Sequence, residues 1–287
     1  MIRILMRKNK NKFILHNLFE SSPSSYFQPY KPFHPFKFLT MSFYKGKRTE
    51  EWNYKGKHWK LSRSKIENYI RCPRCFYLDN KLGVRPVDGF PFNLNSAVDT
   101  LFKKEFDTYR RSGQPHPLME QYGIKMVPFE HSDMDKWRAN FMGITHLHEA
   151  TGLTITGAVD DVWVDKQGVL TIADYKSTSK KGQIVALDQA WHAGYKRQME
   201  IYQWLFRQNG FSVNDTGYFV YANGQTSAPC FNNRLDFEVT LVPYIGNDCW
   251  IEDTLLAIKE CLESESLPES SAECGTCQYL ELRKSIV

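Results

Sequence analysis

Two aspartates and a lysine in the middle of the chain have the side chains that phosphodiester hydrolysis requires. Asp160 closes the run Gly157-Ala158-Val159-Asp160, and Asp174 and Lys176 stand two positions apart, on either side of Tyr175. Alternate residues of a strand face the same side of a sheet, so Asp174 and Lys176 would point the same way. Carboxylates are hard oxygen ligands for Mg²⁺, and an ammonium offsets charge that develops on phosphate. The pattern predicts magnesium-dependent phosphodiesterase chemistry.

Helical periodicity precedes and follows these residues. Ser62 suits the N-cap of an opening helix, and Asn93 or Asn95 suits the start of a second helix that ends near Gly113. Apolar spacing predicts further helices over residues 134–142, 191–208 and 250–262.

Strand-like segments hold the two aspartates and the lysine. The predicted strands are residues 144–150, 153–164, 169–176, 217–222 and 235–242. Short glycine-containing breaks separate the first three, as hairpins prefer, so these form an antiparallel three-strand meander. A helix, the meander, a helix and further strands predict an α+β or α/β fold in three layers.

The charge of the chain is concentrated at its amino terminus. The net charge is +5 over 287 residues, but residues 1–40 hold seven Lys or Arg and one acid, which leaves 30 basic and 31 acidic residues beyond them. The body is therefore not basic overall. Attraction to phosphate must come from a local patch or from the amino-terminal segment.

Residues 1–60 are predicted to be a disordered or extended basic and aromatic arm, because residues 21–35 are rich in Ser, Pro and aromatics without a regular period. An alternative reading makes residues 1–40 a mis-assigned start before Met41. Residues 61–287 are predicted to form a single domain. No stretch approaches the ~18 apolar residues of a membrane span, and basic residues interrupt the first 18, so we expect a cytoplasmic protein.

Four of the seven cysteines form two spaced pairs, Cys72-x-x-Cys75 and Cys274-x-x-Cys277. If the fold brings the pairs together, four thiolates would suit a tetrahedral zinc ion or an iron–sulfur cluster. The alternative is that the early pair are small core residues and the late pair is unrelated.

Taken together and in order, these residues resemble the PD-(D/E)XK nuclease superfamily, and specifically its RecB-like branch. The resemblance is carried by residues 157–160, 174–176 and 198–202, and by the opening helix at 62–78 with its Cys-Pro-x-x-Phe segment. It covers roughly residues 61–280. It implies a restriction-endonuclease-like core, in which helices flank a central mixed sheet with an antiparallel three-strand meander.

The resemblance implies a role for each residue of the central motif. Asp160 and Asp174 would bind one or two Mg²⁺ or Mn²⁺ ions, and the backbone carbonyl of Tyr175 could add a ligand between them. Lys176 would orient the attacking water or stabilise the transition state. Asp161, next to Asp160, faces the other way and needs solvent or a basic partner.

Two helices would contribute further groups. Gln198 and Tyr202, one helical turn apart, would close the site from the helix after the meander, although a plain amphipathic helix shows the same spacing. RecB-like nucleases usually place a metal-binding histidine on the helix before the meander, and Asp99 holds that position here. Aspartate is a good magnesium ligand. The alternative for Asp99 is a solvated residue near a helix start.

The resemblance also implies a metal centre that ties the carboxyl terminus to the opening helix. Cys72, Cys75, Cys274 and Cys277 would hold a [4Fe-4S] cluster or zinc. The branch usually divides its cysteines into one upstream and three downstream, whereas this chain has two and two.

The implied function is a metal-dependent, exonuclease-like deoxyribonuclease in repair, recombination or defence. Its partners would be single-stranded DNA or duplex ends. The sequence has no Gly-x-x-x-x-Gly-Lys-Ser/Thr motif, so any helicase partner would be a separate chain. Two alternatives stay open: a catalytically inactive nucleic-acid-binding or assembly module, and a structural protein whose only essential chemistry is the cysteine site.

Overall fold

The fold is taken from a computed structural model, which describes residues 46–87, 89 and 91–286. Residues 1–45 of the predicted arm lie outside this range. The described residues belong to one unit, Phe43–Val287.

Helices in the described part of the chain begin and end where the local sequence favours it. Their bounds are α1 Arg63–Arg71, α2 Pro73–Asn80, α3 Asn93–Ser112, α4 Pro117–Gln121, α5 Met134–Arg138, α6 Ala193–Gln208, α7 Ile251–Glu263 and α8 Gly275–Ile286. The Ser62 hydroxyl caps α1 by accepting a hydrogen bond from the Lys65 amide at 3.4 Å. Gly113 ends α3 with φ of 63°, a left-handed conformation that glycine adopts without strain.

The strands form two mixed sheets. Their bounds are β1 Leu61–Ser62, β2 Met126–Pro128, β3 Ile144–His148, β4 Leu153–Gly157, β5 Asp161–Asp165, β6 Leu170–Thr178, β7 Thr216–Gly224 and β8 Phe237–Ile245. The larger sheet is five-stranded in the order β2-β5-β6-β7-β8, and the smaller has the order β1-β4-β3. The pairs β6–β7 and β1–β4 are parallel, and the other pairs are antiparallel.

The five-stranded sheet is buried on both faces. One face packs α1, α6 and α7 through a cluster that includes Ile172, Leu205 and Leu255. The other packs α3 and α4, where Phe106 stacks on Trp163 with ring centroids 5.8 Å apart. Burial on both faces suits the parallel β6–β7 pair at the centre of this sheet. The mixed α/β fold predicted from the sequence is therefore confirmed.

One predicted strand divides into two. The segment 153–164 is interrupted at 158–160, and its halves, β4 and β5, join different sheets. The break has a tertiary cause, because the amide of Val159 donates to the carbonyl of Trp137 at 3.1 Å instead of joining a strand ladder. Asp160 consequently lies on a bend and not within a strand.

Residues 46–60, expected to belong to a disordered or extended arm, contain a short 3₁₀ helix, Glu50–Trp52, and pack on α2 and α7. The Tyr54 hydroxyl donates to Glu263 at 2.6 Å, and the Trp59 indole donates to Asn80 at 3.2 Å. These aromatic residues have partners in the body, which explains why this part of the segment is folded.

Candidate active site

Asp174 and Lys176 meet at the carboxyl-terminal half of β6. The Asp174 side chain is fully buried, and the Lys176 ammonium contacts its Oδ2 atom. The Lys176 Nζ also lies 4.7 Å from the centre of the Tyr195 ring, on α6. Burial acts to lower the pKa of Lys176, but the charges of Asp174 and Asp160 outweigh it and raise that pKa. Lys176 is thus held as an ammonium.

Asp160 reaches the same place from the bend between β4 and β5. Its Oδ2 atom accepts a hydrogen bond from the Tyr175 amide at 2.9 Å, so its carboxylate is fixed against the backbone between Asp174 and Lys176. Its Oδ1 atom lies 3.4 Å from the Lys103 ammonium. The bend therefore brings the second carboxylate beside the first.

Asp161 has the opposite environment. It is fully buried on the α3 side of the sheet, where it accepts a hydrogen bond from the Tyr175 hydroxyl at 2.6 Å and pairs with Arg138 at 3.0 Å. Arg110 is a further partner. Adjacent aspartates thus face opposite ways, and of the two alternatives for Asp161, solvent or a basic partner, the structure shows basic partners. Tyr175 binds Asp160 through its amide and Asp161 through its side chain, which fixes this corner of the site.

Gln198 and Tyr202 approach from α6. The Gln198 Oε1 atom lies 3.5 Å from the Lys176 ammonium, and its Nε2 atom donates to the Tyr202 hydroxyl at 3.0 Å. Gly157 allows this approach, because a Cβ atom at that position would lie 2.7 Å from the Tyr202 ring. The glycine that opens the Gly-x-x-Asp run thus makes room for the α6 side chains.

Asp99 projects from α3 into the same cleft. The cleft has a volume of about 280 Å³, and Asp99, Asp160, Lys176 and Tyr195 contribute to its lining. Burial raises the pKa of Asp99, and the negative charge of Asp160 adds to that shift. Of the predicted carboxylates, Asp99 and Asp160 therefore line this cleft. Asp174 is buried beside it, in contact with Lys176.

Two basic residues of the site are not among the sequence candidates. Lys103 lies one turn after Asp99 on α3 and contacts it at 2.9 Å. Arg63 begins α1, and within the described part of the chain it makes no ion pair. Burial raises the pKa of Tyr202, and the charge of Arg63 opposes that shift, which places Arg63 within electrostatic range of the site. The four-residue spacing of Asp99 and Lys103 is a sequence pattern that could have indicated Lys103. No sequence pattern indicates that Arg63 belongs to the site.

The donor atoms fit a divalent cation. Asp174 Oδ1 is buried and has no hydrogen-bond partner among the residues that the structure describes. A buried carboxylate oxygen without a partner is costly unless a cation compensates it. Burial, and secondarily the charge of Asp160, raises the pKa of Asp174 to about 6 against the opposing effect of Lys176. Carboxylate and carbonyl oxygens are the ligands that Mg²⁺ and Mn²⁺ prefer.

The two cysteine pairs come together, as the family resemblance implied. Cys72 and Cys75, at the start of α2, meet Cys274 and Cys277, at the start of α8, with all four sulfurs within 4.8 Å of one another. Three of the sulfur–sulfur distances are 3.5, 3.6 and 3.8 Å. This four-cysteine site can bind zinc or an iron–sulfur cluster.

Comparison with known proteins identifies the family. Residues 93–282 match the family model of the PD-(D/E)XK nuclease superfamily, which is more than half of the chain. The chain belongs to this superfamily, whose members are generally nucleases that use divalent metals. The match spans Asp99, Asp160, Asp174 and Lys176.

Other comparisons add little. The search of curated proteins found no match. Among solved structures, the crystal structure of SSO0001 has a TM-score of 0.36 and 14% identity, covering 78% of this chain and 84% of that one. Over the residues that the structure describes, no helix is both long and apolar enough to cross a membrane.

Proposed function

We propose that this chain is a Mg²⁺- or Mn²⁺-dependent deoxyribonuclease of the RecB-like branch, with exonuclease-like action in repair, recombination or defence. The observation that carries the proposal is the meeting of Asp160 and Lys176 in one cleft, with Asp174 buried against Lys176. One carboxylate oxygen of Asp174 has no hydrogen-bond partner among the described residues. The branch assignment is supported by the opening helix and by the meeting of the cysteine pairs.

Asp160, Asp174 and the carbonyl of Tyr175 are the residues that would hold the cation, with Asp99 at the α3 side of the cleft. A bound divalent ion would supply Lewis-acid stabilisation of phosphate charge and would acidify a water molecule. The chain contributes the rigidity, because Asp160 is fixed by the Tyr175 amide and Asp174 is fully buried.

Lys176 is proposed to orient the attacking water and to stabilise negative charge on the phosphate. It is an ammonium and not a base, since the carboxylates around it raise its pKa. The side chain is almost enclosed, with 14% of its surface exposed, so its charge acts in a medium with little screening. Gln198, backed by Tyr202, would hold Lys176 in place from α6.

The proposed substrate is DNA, as single strands or duplex ends. The body is not basic overall, so attraction to phosphate must come from local groups. Arg63, at the start of α1, is within electrostatic range of Tyr202, and Lys103 contacts Asp160 from α3. Arg63, without an ion-pair partner among the described residues, is proposed to bind a substrate phosphate. A helicase, if one acts with this nuclease, would be a separate chain.

The four-cysteine site is proposed to hold a single zinc ion. Four thiolates at about 2.3 Å from a tetrahedral zinc lie about 3.8 Å apart. Three of the six sulfur–sulfur distances, 3.5, 3.6 and 3.8 Å, are close to that spacing, and all six are within 4.8 Å. A [4Fe-4S] cluster places each thiolate on a different iron atom and would hold the sulfurs farther apart. Stoichiometric zinc without visible absorption is the expected result, whereas iron with visible absorption would contradict it.

The test of the proposed function is cleavage of labelled single-stranded and double-stranded DNA with and without Mg²⁺ or Mn²⁺. We expect metal-dependent degradation that Lys176→Met abolishes. Lys166→Met, at an exposed position in the β5–β6 turn, is the matched control and should cleave normally. DNA labelled at either end would show the polarity. Binding without cleavage by the wild-type protein would favour the alternative, an inactive nucleic-acid-binding or assembly module.

A further inference from the structure

Lys103 lies between the two acidic residues that line the cleft, Asp99 and Asp160. Its ammonium is 2.9 Å from Asp99 Oδ2 and 3.4 Å from Asp160 Oδ1. Its ammonium therefore already balances the facing oxygens of Asp99 and Asp160, the two carboxylates that a second cation on this side of the cleft would need. Asp174, by contrast, keeps one buried oxygen without a partner among the described residues.

The position of Lys103 is built into α3. Lys103 and Asp99 are one helical turn apart, an arrangement in which the two side chains meet on one face of the helix. Both are largely covered, with 23% of the lysine and 32% of the aspartate side chain exposed. The ammonium is therefore supplied by the same helix that supplies the carboxylate, and it is present whenever α3 is folded.

We propose that Lys103 fills the place of a second cation, so that the cleft takes a single divalent ion, held by Asp160 and Asp174. This inference rests on the proposed function, because it concerns the cation of that same site. It assigns Lys103 a positioning role: the lysine holds Asp99 and one oxygen of Asp160 away from metal coordination.

Charge balance supports a single ion. Asp99, Asp160 and Asp174 carry three negative charges, and Lys103, Lys176 and Arg63 carry three positive ones. One divalent ion would already make this group of residues positive, as binding of a phosphodiester requires. A second ion beside Lys103 would add a strongly repulsive contact in a partly buried place, where screening is weak.

The test is to count Mn²⁺ ions by calorimetric titration and to examine their spin coupling by electron paramagnetic resonance. Mn²⁺ suits oxygen ligands and competes poorly for the thiolates of the four-cysteine site. We expect one uncoupled ion per wild-type chain and two coupled ions in Lys103→Met, which keeps the apolar stem and removes the charge. Lys104→Met, at the adjacent exposed position, should bind one ion. Adding Asp99→Asn to Lys103→Met should abolish the second ion.

Two coupled ions in the wild-type protein would overturn the inference and leave the proposed nuclease function intact. A single ion in folded Lys103→Met would also overturn it. The wild-type count does not depend on any variant folding. A wild-type chain that binds no Mn²⁺ and cleaves no DNA would instead contradict the proposed function, and the inference with it.

Discussion

At the scale of single residues, the same chemical group has opposite roles on either side of one peptide bond. Asp160 faces the cleft, where its carboxylate is available to a cation. Asp161 faces the core, where its carboxylate pairs with Arg138 and accepts a hydrogen bond from the Tyr175 hydroxyl. A buried carboxylate with charged partners stabilises local structure, whereas Asp174, with an oxygen left unpartnered among the described residues, is suited to bind a ligand.

Substitution of Arg63 tests whether the cleft binds phosphate beside the proposed metal ligands. Loss of one charge-assisted phosphate contact of about 1.5–3 kcal/mol weakens binding by about tenfold or more. We therefore expect Arg63→Ala to raise KM for DNA by about that factor with a smaller change in kcat, measured under steady-state conditions. Arg71→Ala, at the exposed end of α1, is the control. An unchanged KM in Arg63→Ala would contradict the assigned contact.

Asp107, which pairs with Arg110 and Arg138, gives a pH-dependent prediction. Burial acts to raise the pKa of Asp107, but hydrogen bonds from Arg138 and Arg110 outweigh it and hold that pKa below its usual range. A carboxylate whose pKa is lower in the folded state stabilises the fold above its unfolded pKa, about 3.9, and loses this effect as pH falls through the folded value.

Asp107→Asn should therefore lower the free energy of unfolding at pH 7 by about 1.5–3 kcal/mol, the range for a hydrogen bond to a charged group. The difference from wild type should shrink as pH falls below about 4. Urea denaturation at a series of pH values measures both. A difference that is constant with pH would mean that the ion pairs with Arg138 and Arg110 are not its origin.

At the scale of elements, the parts of the site that follow local rules were predictable. The two-residue period of β6 predicts that Asp174 and Lys176 share a face, and they are in contact. The Ser62 cap and the Gly113 stop define α1 and α3. The break at 158–160 was not predictable, because it depends on the carbonyl of Trp137, some twenty residues away in sequence.

The place of Gly157 at the end of β4 leads to a prediction about α6. A Cβ atom there would lie 2.7 Å from the Tyr202 ring and 3.0 Å from Leu205, both of which are buried. Gly157→Ala should destabilise the protein by about 1–3 kcal/mol, the usual effect of overpacking, and displace Tyr202 from Gln198. The measurements are the thermal midpoint and the cleavage rate.

Gly168→Ala is a useful comparison for Gly157→Ala. Gly168 has open space around it, but its φ of 81° strains any other residue. Gly168→Ala should therefore destabilise the fold by straining the backbone at this position, while leaving the cleavage rate of the folded protein unchanged. If Gly157→Ala also left that rate unchanged, α6 would not be positioned through this contact.

At the scale of the whole molecule, the four-cysteine site joins the two ends of the described chain. Cys72 and Cys75 belong to the opening helices, and Cys274 and Cys277 to the last helix. Short cysteine spacings indicated possible ligands, but only the tertiary fold determines that the two pairs meet and how far apart their sulfurs lie. The role of Arg63 was likewise not predictable from local sequence, because Tyr202 and Asp174, whose pKa values its charge affects, are distant from it in the chain.

Loss of the proposed zinc ion should loosen this connection. Cys277→Ser should abolish bound zinc and lower Tm by about 6–12 °C, the shift that about 3 kcal/mol produces in a protein of this size. Cys249→Ser, at an exposed cysteine outside the site, is the control. Metal analysis and calorimetry give the two readouts. Unchanged Tm with zinc lost would show that the ion does not stabilise the fold.

The central claim is that Asp174 is a metal ligand of a nuclease site, and Asp174→Asn tests it most directly. Asparagine keeps the shape of this fully buried side chain and removes its charge. With Mg²⁺ and labelled single-stranded DNA, we predict cleavage by the wild-type protein and a fall of at least about 100-fold in the folded variant. Equal cleavage rates for the two proteins would contradict the claim.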